Sequence, residues 1–130
     1  MTTSDFCLII PYLQYGLCVE RRDNKMPEHY TSTAYLELKD TQSAIYNLQY
    51  IKPYLRHLSS MSDIEKNEIA KLLDYEFYVD DDGALCAEDD RHRVRVDLIS
   101  TYINYLYSHH FDFNNLIENN IAIEAPQNMY

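Results

Sequence analysis

Eight acids crowd one short stretch of the chain, Asp74, Glu76, Asp80, Asp81, Asp82, Glu88, Asp89 and Asp90, with no Lys or Arg between them. Carboxylates at that density allow three kinds of chemistry: chelation of a divalent cation, imitation of a phosphate backbone in front of a basic protein, or plain solvation. An EF-hand needs acids at the first, third and fifth loop positions, Gly at the sixth and Glu at the twelfth. With Gly83 as the loop glycine, the first position falls on Tyr78, the third on Asp80, the fifth on Asp82 and the last on Asp89. Both terminal ligands are wrong, which leaves at most a loose divalent-ion site. The acids at the start of the following helix also suit its N-terminal dipole. Mimicry of phosphate requires only spaced charge and a basic counterpart.

His109 and His110, with Asp112 and His92, form the second constellation. Adjacent helical residues diverge by about 100°, whereas a helical zinc pair uses residues four apart. The two imidazoles are therefore read as helix C-terminal cations facing the dipole, and no metal or cofactor is assigned. Gly-x-Ser-x-Gly, P-loop and Rossmann patterns are absent from the sequence, and no Cys sits beside a suitable His. Glu65 and Glu68 share a helix face, but solvated carboxylates have no reason to carry shifted pKa values. No catalytic residue is named, and the chain is read as non-enzymatic.

Thirteen tyrosines and no tryptophan mark the composition. Tyr102 and Tyr105 share one side of a helix and Tyr107 lies elsewhere, so some tyrosines face outward. Tyrosine buries a large area while keeping a polar tip, which suits interfaces. Tyr75, Tyr78 and Tyr107 are accordingly placed with the acids on a partner-binding face.

The elements that must position these groups follow from local signals. With 130 residues and 46% apolar content, the chain can close one core as a single domain, residues 1–130. The formal net charge of −10 disfavours direct nucleic-acid binding. Three cysteines without a Cys-x-x-Cys pair predict reduced thiols. The apolar run Phe6–Ile10 is cut by Pro11, which predicts neither a signal peptide nor a membrane span and hence a cytoplasmic location. Loose chain is expected at the ends and from Arg21 to Glu28.

Phe6–Ile10, Leu17–Val19 and the alternating Thr33–Leu38 read as strands. Ile45–Ile51 fits both periods; strand is preferred, with Pro53 ending it. Ser62 and Glu65 form a capping box that opens a helix to about Asp74. The Asp82-Gly83 step predicts a hairpin joining Glu76–Val79 to Ala84–Ala87. A long helix is expected from Asp89 or Asp90 to Ser108. Asp112 is expected to cap a short helix through Ile117, and Ile121–Ile123 returns as a last strand or packs over the core.

Three stretches carry a resemblance: Lys52-Pro53-Tyr54-Leu55-Arg56-His57-Leu58-Ser59-Ser60-Met61, Tyr105–Asp112, and Leu116-Ile117-Glu118 through Ile121-Ala122-Ile123-Glu124-Ala125-Pro126. Together they resemble a family of short uncharacterised proteins carried by prophages and mobile elements of anaerobic gut bacteria. The resemblance spans roughly the C-terminal 80 residues, and up to Lys39 it is confined to Pro11-Tyr12-Leu13-x-Tyr15-Gly16. His57 stands where the pattern has a second proline. The resemblance implies a small accessory protein in the cytoplasm of a host bacterium and supplies no catalytic or binding residues.

The expectation is therefore an α+β fold. A small, mostly antiparallel sheet, made of N-terminal strands and the hairpin near 76–87, packs against helices near 62–74 and 90–108 and a short C-terminal helix. Its partner is expected to be a host protein with a basic surface, bound as an anti-defence inhibitor that occupies a nucleic-acid-binding face. A membrane is not expected as a partner. A structural or assembly role and a divalent-metal or small-molecule module remain as alternatives.

Overall fold

A computed structural model describes residues 1–22, 31–75, 77–87 and 96–130. The architecture is α+β, with a mixed five-stranded sheet, a separate two-stranded hairpin and four helices among the described residues.

Helix α1 spans Thr3–Leu13, where the apolar run Phe6–Ile10 predicted a strand. Five consecutive apolar residues fit either period, and the ends decide. The Thr2 amide donates to the Asp5 carboxylate at 2.8 Å and the Asp5 amide to the Thr2 hydroxyl at 3.1 Å, a reciprocal cap that starts a helix. Phe6, Ile9, Tyr12 and Leu13 then fall on one buried face. Pro11 lies in the last turn, where the chain is already about to leave the helix.

Strand β1 (Leu17–Arg22) pairs antiparallel with β2 (Thr31–Leu36) in the register Cys18↔Tyr35. Arg21 and Arg22 thus belong to a strand, while residues 23–28 of the expected loose segment lie outside the described residues. The next stretch corrects the preferred reading: α2 (Thr41–Ile45) and a 3₁₀ turn at Leu48–Tyr50 replace the expected strand. Strand β3 begins at Ile51 and runs through Pro53 to His57. Pro53 faces Val19 at the end of the β1–β3 ladder, so its missing N–H falls where pairing stops.

Helix α3 (Asp63–Leu72) starts at Ser62 as its capping box predicts. Strands β4 (Phe77–Val79) and β5 (Leu85–Ala87) form the predicted hairpin, but as a sheet of their own rather than an extension of the main one. Helix α4 covers Val96–Ser108; its expected start at Asp89 or Asp90 lies outside the described residues. β6 (Phe111–Asp112) and β7 (Ile123–Glu124) both run parallel to β3, at Arg56–His57 and Tyr54–Leu55 respectively.

The short helix expected after Asp112 does not form. The Asp112 carboxylate does accept the amides of Asn114, Leu116 and Ile117 at 3.1, 3.0 and 2.9 Å. Asn115 and Asn120 then take left-handed φ of 56° and 59°, which turns the chain before helical bonds can propagate.

Two apolar clusters hold these elements. Phe6, Ile9, Tyr12, Leu13, Leu17, Val19, Ala44, Leu55, Leu116 and Ala122 fill the space between the main sheet and α1 and α2. Met61, Ile69, Leu73, Phe77, Val79, Leu98, Tyr105, Leu106 and Phe111 lie beneath α3, α4 and the hairpin. Phe113 packs against both, and the Tyr12 hydroxyl donates to the Phe111 carbonyl at 2.5 Å. Among the described residues no helix is long and apolar enough to cross a membrane.

Candidate functional site

The acidic strip is built on the end of α3 and on the hairpin. Leu73, Asp74 and Tyr75 donate their amides back to Ile69, Lys71 and Ala70 at 3.0, 3.1 and 2.8 Å, closing the helix C-terminus. This closure places two consecutive residues in the left-handed region, Asp74 at φ 54° and Tyr75 at φ 60°. Non-glycine residues there carry roughly 1 kcal/mol of strain each. Tyr75 is 66% exposed and Tyr78 is 42% exposed.

Asp80 serves the turn itself. Its carboxylate accepts the amides of Asp82 and Ala84, each at 2.9 Å, and the Ala84 amide leads the effects that hold its carboxyl below the usual range. The Gly83 carbonyl is further pinned by the Tyr102 hydroxyl at 2.9 Å. Asp81 lies 3.5 Å from the Lys66 ammonium, and Asp82 is exposed. The three residues of β4, about 10 Å of strand, lie between Glu76 and the turn. The described part of the acidic face is therefore a strip: carboxylates at both ends, Tyr78 between them, and Asp80 turned to a structural task.

Tyr107 does not belong to it. Its half-buried ring meets Tyr12 edge-on at 4.8 Å and Phe113 at 4.9 Å, packed against the first apolar cluster. Glu76, Glu88, Asp89 and Asp90 lie outside the described residues, as does His92.

The histidines part in different directions. The His109 Nδ1 lies 2.9 Å from the Ser108 hydroxyl and 3.1 Å from the Tyr105 carbonyl. The Tyr105 carbonyl also accepts the His109 amide at 3.1 Å and the Ser108 hydroxyl at 2.9 Å. His110 is 6% exposed at φ 62°, with Nε2 donating to the Gly16 carbonyl at 2.5 Å. Burial lowers its pKa by more than that carbonyl raises it, so it is a neutral ring and not the expected helix-terminal cation. Asp112 is engaged with three amides. Among the described residues no three metal donors converge.

A cleft of about 820 Å³ opens beside these rings, where the C-terminal ends of β3 and α4, the start of α3 and residues 125–130 meet. Arg56 binds Glu65 through two hydrogen bonds, at 2.7 and 2.8 Å, and its guanidinium lies 4.1 Å over the Phe111 ring. Burial raises the Glu65 carboxyl, but the Arg56 hydrogen bonds and the Ser62 amide overcome it and hold the carboxyl at about 2. His57 faces Glu124 at 3.7 Å. Sequence reasoning missed this cleft because its walls come from distant segments; the capping box exposed Glu65 but not its partner.

The chain matches no known family model, no curated protein and no solved structure.

Proposed function

We propose that this chain is a non-enzymatic binding protein that offers the strip Asp74, Tyr75, Tyr78, Asp81 and Asp82 to a basic surface of another protein. One observation carries the reading: Tyr75 is held outward by two successive left-handed residues, a conformation glycine would adopt more easily. Exposed aromatic area between carboxylates offers a partner both a contact and a matching field. In its sharpest form the partner surface is one that otherwise holds nucleic acid, and the chain acts as an anti-defence inhibitor. The resemblance to prophage-borne proteins supports that setting.

The test is a tagged pull-down from bacterial lysate at about 50 and 300 mM salt, a range spanning weak to strong screening. A variant with Tyr75→Ser, Asp81→Asn and Asp82→Asn, sparing Asp80, runs beside the wild type. A basic partner that is held at low salt, eluted at high salt and lost by the variant is expected. A partner that binds both proteins equally, or no partner at either salt, overturns the proposal.

One observation favours an assembly role instead. β2 is an edge strand of six residues with neither charge nor proline, and no other strand among the described residues pairs with its outer side. Edges of that kind invite pairing with another strand. Light scattering that rises with protein concentration would move the reading there.

A further inference from the structure

The segment after β7 is held by few bonds and ends in a specific one. β7 gives only two residues of parallel pairing, Tyr54↔Ile123 and Leu55↔Glu124. The Ala125 amide then donates to the Leu55 carbonyl at 2.7 Å, and Met129 closes a turn on Pro126 at 3.2 Å. Pro126, Gln127 and Asn128 are exposed. Tyr130 returns to the sheet: its phenolic oxygen accepts the Cys18 amide at 3.0 Å and donates to the Tyr54 carbonyl at 2.8 Å. Its ring lies parallel to His110, 3.7 Å between centroids and 5° between planes.

The seat exists because β1 and β3 stop pairing at Val19–Pro53. One register further, Cys18 and Tyr54 are bridged by the phenol instead of by each other. The His110 plate beneath is nine-tenths buried, and its Nδ1 is the buried side-chain nitrogen without a hydrogen-bond partner among the described residues. An aromatic plate, one N–H and one C=O converge here, and a phenol satisfies all three where a phenyl ring satisfies one.

We propose that this seat is a recognition site for a tyrosyl side chain carried on an extended segment of another protein, and that residues 123–130 are the chain's own occupant of it. The mode is strand addition to the edge of β3 that β7 now occupies, with a side-chain pocket for selectivity. Two paired residues fall well short of a usual strand of about five, so the occupant is displaceable. The adjoining cleft, which Arg56, His57, Glu65 and His109 wall together with residues 124–130 themselves, offers an incoming segment further surface. This site is separate from the acidic strip and does not depend on it.

The experiment uses the full chain carrying Tyr130→Ala and a fluorophore-labelled synthetic peptide of residues 121–130, titrated by fluorescence polarisation. Saturable binding is expected, weakened about tenfold or more when the peptide tyrosine is replaced by phenylalanine, because two backbone groups then lose their partner. The wild-type chain should bind at least about tenfold more weakly than Tyr130→Ala, since its tethered tail competes at high effective concentration. Equal binding of the tyrosine and phenylalanine peptides, or no binding by a Tyr130→Ala chain with native circular dichroism, overturns the proposal. If Tyr130→Ala does not fold, Tyr130→Phe, which keeps the ring, is titrated with the same outcomes decisive. The Asp81→Asn, Asp82→Asn chain, with Tyr130→Ala added, should bind the peptide as the Tyr130→Ala chain does, which separates this site from the acidic strip.

Discussion

Glu65 shows how one side chain can serve two elements. Its carboxylate accepts the Ser62 amide at 3.1 Å, completing the cap of α3, while two further bonds hold Arg56 of β3. Glu65→Gln keeps an acceptor for the cap and removes the charge opposite Arg56. With the Glu65 side chain only 14% exposed, we expect a loss of roughly 2 kcal/mol at neutral pH, the scale of a charged hydrogen bond, measured by urea unfolding. Folding lowers this carboxyl from 4.5 to about 2. Its contribution is therefore complete above about pH 4.5 and is lost as the pH falls through about 2. The wild type should lose stability across that window, and Glu65→Gln should show a flatter acid limb. Gly16 is the residue-scale counterpart on the far wall. It takes φ 75°, and a Cβ placed there would overlap the Tyr35 phenol. The sequence shows Gly16 only between two apolar runs and within the resemblance; the folded sheet shows that a side chain there would meet a left-handed φ and displace the Tyr35 ring.

At the scale of elements, legibility followed the range of the deciding interaction. Helix α3 and the β4–β5 hairpin were readable because Ser62, Glu65, Asp80 and Gly83 satisfy one another within a few residues. Ser62→Ala should accordingly cost about 1 kcal/mol, seen as a lower urea midpoint with unchanged slope. The apolar run of α1 misled because a reciprocal cap at Thr2 and Asp5 outweighed its strand-like composition. β3 was obscured by Pro53, whose missing amide matters little at the end of a ladder that only the partner strand defines. The parallel strand β6 left no trace, since two residues have no period to read, whereas β7 overlaps at Ile123 the last strand offered for Ile121–Ile123. Asp112 was identified as a cap correctly and as a helix cap wrongly: the carboxylate found its amides, and Asn115 and Asn120 then took the chain elsewhere. Among the candidate site residues, Tyr75 and Tyr78 are exposed, and Tyr107 is half-buried against Tyr12, 95 positions earlier in the sequence, a contact that no local pattern announces.

Over the whole molecule, charge and connectivity set the behaviour. A net charge of −10 on 130 residues opposes compaction, and salt screens that repulsion. We expect the melting temperature to rise between about 20 and 300 mM NaCl, read by differential scanning calorimetry; a fall would mean that ion pairs such as Arg56–Glu65 outweigh the general repulsion. The connectivity of β3 has a different reach. β3 pairs with β1, β6 and β7, and the phenol that bridges Cys18 to Tyr54 arrives 112 residues after Cys18. β1, β2 and β3 can pair with one another from segments near in sequence, whereas β6 and β7 join β3 only by closing long loops. In refolding from urea the parallel pairings should form last, so that hydrogen-exchange protection of the Arg56 amide lags that of the β1–β2 ladder.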